Sequence, residues 1–293
     1  MDGVLILNKP KGFTSHDAVA VVRKIVGEKS VGHLGTLDPM ATGVLPLVLG
    51  RFTRLAQFYR EADKRYEGTI RFGQTTGTYD AEGDPNGPEH PVTLTIEQIR
   101  AAAAKFTGTI QQLPPPFSAK KIAGVPAYKL ARKGKEVELT HKEVEVKQLT
   151  IKSFNCPNAT FEAWVSSGTY LRSLAHDLGQ FLGPGAHLSA LTRTTVREFD
   201  LSEAHSLEEV RAAVVAGAID DLLIHPRLVL PEFPAVTAPP ETVSRIKNGG
   251  AVNLPEFSKA QTVRVFCSQR ELLAIARRVA GTLFQPKIVL NAN

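Results

Sequence analysis

One acidic residue lies inside a segment made almost wholly of glycine, proline and apolar residues. Asp38 is the single acid of GHLGTLDPMATGVLPLVLG, residues 32–50. A carboxylate in such a setting can serve as a covalent nucleophile. Asp followed by Pro is also a good start for a turn, because the Asp side chain bonds to nearby backbone and Pro presets φ. From this segment alone, both interpretations stay open.

Two further side chains could take part in chemistry. Gly168-Thr169 begins a predicted helix with an apolar stripe, which places Arg172 in its first turn. A cation there opposes the helix dipole at a cost of about 0.3–1 kcal/mol, so Arg172 is predicted to have an acidic partner. Tyr66 belongs to an alternating strand at 65–73 and should face inward. Inward aromatic residues are mostly ordinary core, and that alternative stays open for Tyr66.

Strands and helices must position these residues. The sequence predicts a buried strand at 3–8, a helix that Ser15 caps and Gly27 ends, and an interior strand from Gly43 to Leu49 directly after the Asp38 loop. Further predicted elements are a helix at 52–61, a helix opened by Thr95 and Gln98, two strands within 142–166, a strand at 187–200 and a helix capped by Ser206 and Glu209.

Length and composition predict two globular domains. The chain has 293 residues, of which 43% are hydrophobic and 22% charged, which is ample for a sizeable core. A proline-rich segment at 226–240 breaks the pattern of elements, so the predicted domains are residues 1–224 and 225–293. Beyond the break the pattern predicts a small, β-rich module.

The positive charge is concentrated in two regions. Residues 225–293 carry nine Lys and Arg against four Glu, a balance of +5 in a chain of net charge +6. Residues 101–135, here called the basic segment, hold seven basic residues and no acid, interrupted by prolines and aromatics. A lysine-rich face exposed to solvent is the simpler interpretation. The mixture of cations, aromatics and rigid loop favours RNA instead, with Lys120, Lys121 and Arg132 as candidate contacts.

Several classes of protein are disfavoured by what the sequence lacks. Cys156 and Cys267 lie far apart without a CxxC pair, so no metal site and no disulfide framework is predicted. The start of the chain fits no signal peptide, and no apolar run approaches the roughly 20 residues of a membrane span. We therefore expect a cytoplasmic protein that does not bind membranes.

The segment that contains Asp38 resembles a known family. Residues 32–43, GHLGTLDPMATG, match the G-H-x-G-x-L-D-P-x-A-T-G segment of the TruB family, the bacterial tRNA pseudouridine-55 synthases. Four further segments resemble the family in the same order, and the region around Asn248-Gly249-Gly250 resembles a PUA module more weakly. The matching segments are Asn8-Lys9-Pro10, Lys64-Arg65-Tyr66, the loop Pro114 to Ala119, and Gly168 to Arg172.

The resemblance implies a fold and a set of roles. It implies an α+β pseudouridine synthase fold with a mixed, mainly antiparallel central sheet and a small β-rich PUA-like C-terminal domain. Asp38 matches the catalytic nucleophile, Arg172 the guanidinium that holds it, and Tyr66 the ring that stacks on the target base. Tyr170 and Leu191 match pocket residues that contact the uridine. His33 matches the residue that fills the gap left when the base is extruded from the T loop.

The implied reaction detaches uracil from its ribose and reattaches it through carbon, which needs no cofactor. The expected partner is the T arm of tRNA, and no obligatory protein partner is expected. Two alternatives remain: a non-catalytic tRNA-binding chaperone, and a guide-RNA-dependent relative. One departure concerns the backbone rather than the reaction: the family often has L-R-R-T-x-V-G where this chain has LTRTTVR, residues 191–197.

Overall fold

The computed structural model describes residues 1–116, 121–122, 125–126 and 140–290. Its α-helices are α1 (Ser15–Val26), α2 (Ile96–Lys105), α3 (Leu171–Leu182), α4 (Leu207–Val215) and α5 (Val243–Lys247). Its 3₁₀ helices are Gly50–Tyr59, Leu201–Glu203, Ile219–Leu222, Pro226–Leu228 and Pro240–Thr242. The first ten strands are β1 (Gly3–Lys9), β2 (Val31–His33), β3 (Thr42–Leu49), β4 (Lys64–Phe72), β5 (Gly108–Gln112), β6 (Lys121–Ile122), β7 (Val125–Pro126), β8 (Lys142–Asn155), β9 (Asn158–Val165) and β10 (Ala186–Val196). The remaining strands are β11 (Phe199–Asp200), β12 (Ala235–Thr237), β13 (Val252–Asn253), β14 (Thr262–Phe266), β15 (Leu272–Ala280) and β16 (Leu283–Val289).

Contacts within the chain define two compact units. The first unit comprises Met1–Leu37, Val44–Arg60 and Arg197–Asn293, and the second comprises Asp38–Gly43 and Glu61–Val196. The predicted domain boundary after residue 224 falls inside the first unit, and the division into domains 1–224 and 225–293 stays a prediction. None of the described helices is long and apolar enough to cross a bilayer.

The second unit is built on a mixed, mainly antiparallel sheet, as predicted. Its strands lie in the order β10-β4-β9-β8-β5, and each neighbouring pair is antiparallel. Thr42 and Gly43 pair with β10 in the parallel direction. The alternation predicted for β4 is confirmed, since Tyr66, Ile70 and Phe72 are buried. Helix α2 packs on β8 and α3 packs on β10, so the helix that carries Arg172 lies against the strand at one end of this order.

Helix α1 of the first unit begins one residue earlier than predicted. Thr14, not Ser15, is the cap: its hydroxyl accepts from the Asp17 N–H at 3.0 Å, and Asp17 accepts from the Thr14 N–H in return. An acid three residues after Thr14 completes this capping box, whereas Ser15 exchanges two hydrogen bonds with the backbone of Leu37. Gly27 ends the helix at φ 67°, as predicted.

Two further segments of the first unit differ from simple expectation. The segment predicted as a helix at 52–61 is a 3₁₀ helix, and its buried Phe52 and Leu55 are spaced by that helix's period of three. Arg197 has φ 53°, in the left-handed region that glycine adopts most easily. The backbone therefore has a conformation suited to glycine at the position where the family has one, although this chain carries an arginine.

The end of the first unit contains the β-rich element that the sequence predicts. Strands β12-β14-β15-β16-β13 form a five-stranded sheet in that order. Its core includes Val236, Ile246, Val263, Val265 and Phe284, all almost fully buried. The likeness of this sheet to a PUA module stays a prediction.

Candidate active site

Asp38 lies in a tight turn and presents its side chain partly to solvent. The Asp38 carbonyl accepts a hydrogen bond from the Ala41 N–H at 3.1 Å, and Pro39 occupies the second position of this turn. The turn interpretation is therefore correct. The Asp38 side chain is 33% exposed, so the same residue also offers a reachable carboxylate.

Arg172 holds this carboxylate with two donors. Its Nε donates to Asp38 Oδ2 at 2.9 Å, and its Nη2 donates to Asp38 Oδ1 at 3.1 Å. The predicted acidic partner of Arg172 is thus confirmed. A third donor, Nη1, reaches the Thr78 carbonyl at 3.1 Å, and the Arg172 side chain is only 5% exposed. A bidentate pair fixes the direction of the carboxylate and favours its charged form.

A second carboxylate, Asp80, contacts the same guanidinium from the buried side. Its Oδ2 lies 3.5 Å from Arg172 Nε, and its side chain is 4% exposed. The Thr78 hydroxyl donates to Asp80 Oδ1 at 2.5 Å, and the Glu82 N–H donates to the same oxygen at 3.1 Å. Sequence reasoning missed Asp80, because the loop at 74–92 reads as a polar connection. The Arg172 guanidinium therefore contacts both a partly exposed carboxylate and a buried one.

Tyr66 and Arg193 form a buried pair on neighbouring strands. They are directly opposite in the β4–β10 pairing, which puts both side chains on one face. Arg193 is fully buried, and its guanidinium donates a hydrogen bond to the Tyr66 hydroxyl. Burial raises the pKa of Tyr66, and Arg193 offsets this rise only in part, so the phenol keeps its proton at neutral pH. Asp38 is close enough for its charge to act on both groups.

The backbone of β10 brings Asp38 close to this pair. Gly43, five residues after Asp38, is the parallel partner of Arg193. It has φ 98°, and a Cβ there would lie 2.2 Å from the Arg193 carbonyl oxygen. Only glycine fits such an approach. Leu191 is 6% exposed and points to the same face as Arg193, because residues two apart on a strand share a face.

Tyr170 marks the start of α3, and a buried glutamine holds it there. The Gln112 side chain accepts from the Tyr170 N–H at 2.8 Å and donates to the Tyr170 carbonyl at 3.0 Å. Gln112 is 2% exposed, so this clamp is shielded from water. It replaces the side-chain cap that α3 lacks, and it fixes the helix turn that carries Arg172.

Four predicted site residues remain, namely His33 and three residues of the basic segment. His33 belongs to the first unit, where it ends β2, is half-buried and accepts at Nδ1 from the Gly35 N–H at 3.3 Å. Lys120 and Arg132 lie outside the described residues. The backbone of Lys121 pairs with Pro126 in the β6–β7 hairpin. The roles given to these four residues stay predictions.

The arrangement favours nucleophilic chemistry at a single carboxylate. Asp38 is oriented and partly exposed, whereas Asp80, which contacts the same arginine, is buried. A buried tyrosine and an apolar leucine belong to the same strand pairing. Sequence reasoning also missed the role of Arg193, which lies in the segment LTRTTVR without any local sign that it is buried.

Comparison with known proteins identifies relatives over nearly the whole length. A family model described as "TruB family pseudouridylate synthase (N terminal domain)" matches residues 23–171, and one described as "tRNA pseudouridylate synthase B C-terminal domain" matches residues 172–231. The chain is 44% identical to a tRNA pseudouridine synthase B of Solibacter usitatus, over 99% of this chain and 100% of that protein. It is 40% identical to a tRNA pseudouridine synthase B of Geobacillus thermodenitrificans, over 94% of each.

Solved structures share the fold at lower identity. The structure described as "Structure of H/ACA RNP bound to a substrate RNA containing 2'-deoxyuridine" contains a chain that matches with a TM-score of 0.73 at 23% identity, over 99% of this chain and 85% of that one. The fold of the present chain is therefore an α+β fold shared with that chain.

Proposed function

We propose that this chain, which belongs to the TruB family of pseudouridylate synthases, isomerises the T-loop uridine of tRNA. In this proposal Asp38 is the nucleophile. The chain is a tRNA pseudouridine synthase, an isomerase. The choice of the T-loop uridine and the role of Asp38 are the proposal.

One observation supports Asp38 as the nucleophile more than any other. Its carboxylate is partly exposed, while the arginine that orients it is almost completely buried. In the reaction, the N1–C1′ bond breaks and a C5–C1′ bond forms. A proton leaves C5 and N1 gains one, so no electrons are gained or lost. One carboxylate suffices, since no water has to be activated to hydrolyse an intermediate. Attack at the sugar and attack at the ring both remain open.

The neighbouring side chains have distinct proposed roles. Tyr66 stacks on the extruded uracil, and the hydrogen bond from Arg193 fixes the position of its ring. Leu191 and Tyr170 line the pocket for the base. His33 fills the space that the base leaves, which offsets part of the few kcal/mol that unstacking costs.

The basic segment is proposed to grip the T arm through Lys120, Lys121 and Arg132. Each contact between a cation and a phosphate releases counterions, so tRNA affinity should fall as salt rises. Replacing all three residues by Gln should lower the slope of log affinity against log salt by about 0.7–0.9 for each replaced cation that binds a phosphate. An unchanged slope would remove this assignment.

Two other functions are less well supported. A non-catalytic RNA chaperone would have no use for an oriented, partly exposed carboxylate beside a buried arginine. The guide-dependent alternative has its nearest support in the fold shared with the H/ACA chain, which is only 23% identical to this one. Two tRNA pseudouridine synthases B are 44% and 38% identical over nearly the full length, which favours an enzyme that acts without a guide.

The test is an unmodified tRNA transcript labelled with tritium at C5 of uridine, incubated with the protein alone. Tritium release together with site-resolved mapping should show product at the T-loop uridine. Asp38→Asn keeps the shape of the side chain and should bind tRNA without making product. Asp84→Asn, a change at an exposed acid of the second unit, is the matched control and should retain activity. Product from Asp38→Asn would mean that another group is the nucleophile.

A further inference from the structure

Two aromatic rings are stacked beside the Asp38–Arg172 pair. The rings of Tyr79 and His176 have centroids 3.8 Å apart and planes only 10° from parallel. Both residues are half-buried. We call these two side chains the aromatic pair.

Both rings belong to segments of the chain that position the Arg172 side chain. Tyr79 lies between Thr78, whose carbonyl accepts from Arg172, and Asp80, whose carboxylate contacts the same guanidinium. His176 follows Arg172 by four residues on α3, and residues four apart share a face of a helix. The aromatic pair is therefore placed by the same elements that orient the proposed nucleophile.

The backbone at Tyr79 is strained for a bulky residue. Tyr79 has φ 64°, a left-handed conformation that glycine and asparagine adopt at lower cost. The backbone is held there by bonds from the Tyr79 N–H to Thr76 at 3.2 Å and from the Leu188 N–H to Tyr79 at 3.0 Å. Strain of this kind clusters at functional sites. A bulky ring at such a position points to a use for the side chain.

His176 also carries a cost that the fold does not explain. Its Nδ1 is buried and has no hydrogen-bond partner among the described residues, although buried polar atoms are usually satisfied. Burial lowers the pKa of His176, so the ring is uncharged at neutral pH. The aromatic pair thus offers flat, neutral surfaces rather than a cation.

We propose that the aromatic pair is a stacking site for an unpaired nucleobase next to the target uridine. This inference rests on the proposed function. Extruding the uridine disrupts stacking of its neighbour, and an aromatic platform beside the site can restore that stacking. The carboxylate of Asp177 lies near Tyr79 and acts on its phenol. An acid there would repel a phosphate, so the pair is suited to the base rather than to the backbone of the RNA.

The experiment combines protein variants with abasic RNA. The substrates are a T-arm hairpin and two copies with an abasic residue, one directly 5′ and one directly 3′ of the target uridine. Tyr79→Asn removes the ring and suits the left-handed backbone, and His176→Leu is a second way to remove the stack. Tyr79→Phe keeps a ring, and Phe181→Leu changes an exposed aromatic of the same helix. The dissociation constant and the single-turnover rate are measured for each combination.

With the wild-type protein, one of the two abasic hairpins should bind about tenfold more weakly than the intact hairpin. Tyr79→Asn and His176→Leu should each bind the intact hairpin about tenfold more weakly than the wild-type protein does. Their affinity for the abasic hairpin that the wild type binds weakly should be no lower than their affinity for the intact one. Tyr79→Phe and Phe181→Leu should keep the abasic penalty. Additive losses, or variants without the stack that bind as the wild type does, would overturn the stacking site. Absence of product from wild-type protein and intact hairpin would instead overturn the proposed function.

Discussion

Arg172→Lys tests whether two donors on one guanidinium are needed to orient Asp38. Lysine keeps the charge but supplies a single nitrogen, so it cannot reproduce the contacts at 2.9 and 3.1 Å. At least one charge-assisted hydrogen bond is lost, worth about 1.5–3 kcal/mol. If that energy acts on the transition state, the single-turnover rate constant falls about 10- to 150-fold.

The assay is tritium release from C5-labelled tRNA at saturating enzyme, which separates the chemical step from binding. The binding constant for tRNA should change little. Arg71→Lys is the matched control, because Arg71 forms an exposed ion pair with Glu89 at 2.8 Å, and such pairs contribute little. A rate constant for Arg172→Lys within threefold of the wild type, at unchanged melting temperature, would refute the role of the paired donors.

Three further predictions concern stability. Burial raises the pKa of Asp177 to about 6 from its usual 3.8, so the folded chain binds the carboxyl proton more tightly than the unfolded chain does. Above pH 6 the ionised carboxylate therefore lowers the free energy of unfolding, and this stability is recovered as the pH falls through 6 towards 4. In urea titrations, Asp177→Asn should therefore gain about 1–2 kcal/mol near pH 8, after allowance for partial exposure, and almost nothing near pH 4; an equal gain at both would contradict this cause. Gly43→Ala should lower the free energy of unfolding by about 3 kcal/mol or more, whereas Gly87→Ala, at φ 93° with open space around it, should lose only about 1–2 kcal/mol; equal losses would mean that the close approach to Arg193 is unimportant. Tyr66→Phe should lose about 1–3 kcal/mol, since it removes an acceptor from buried Arg193, and unchanged stability by chemical denaturation would argue against that hydrogen bond.

Much of the fold follows from local rules that the sequence displays openly. The alternation of β4, the capping pair Thr95 and Gln98, and the glycine after α1 each report on neighbours within four residues. Ser15 shows the limit of such rules, because Thr14 and Ser15 are adjacent hydroxyl residues and either could be the N-cap of α1. The acid three residues after Thr14 decided between them.

The site could be predicted only in part. The helix dipole required a partner for Arg172, and Asp38 is that partner. No local rule revealed Asp80, since a buried acid in a loop looks like an ordinary turn residue until its guanidinium is known. Arg193 was equally hidden, because its burial depends on the pairing of β4 with β10, which lie far apart in the chain.

The distance along the chain between Asp38 and Arg172 has a consequence for synthesis of the protein. These two residues are 134 positions apart, and the hydrogen bonds between them exist only in the folded chain. A nascent chain that ends before α3 carries Asp38 without its guanidinium, and one that ends before β10 lacks the strand against which Gly43 packs. Contacts between such distant residues form late, after long loops have closed. An incomplete chain emerging from the ribosome therefore carries the carboxylate proposed as the nucleophile, but not the arrangement that orients it.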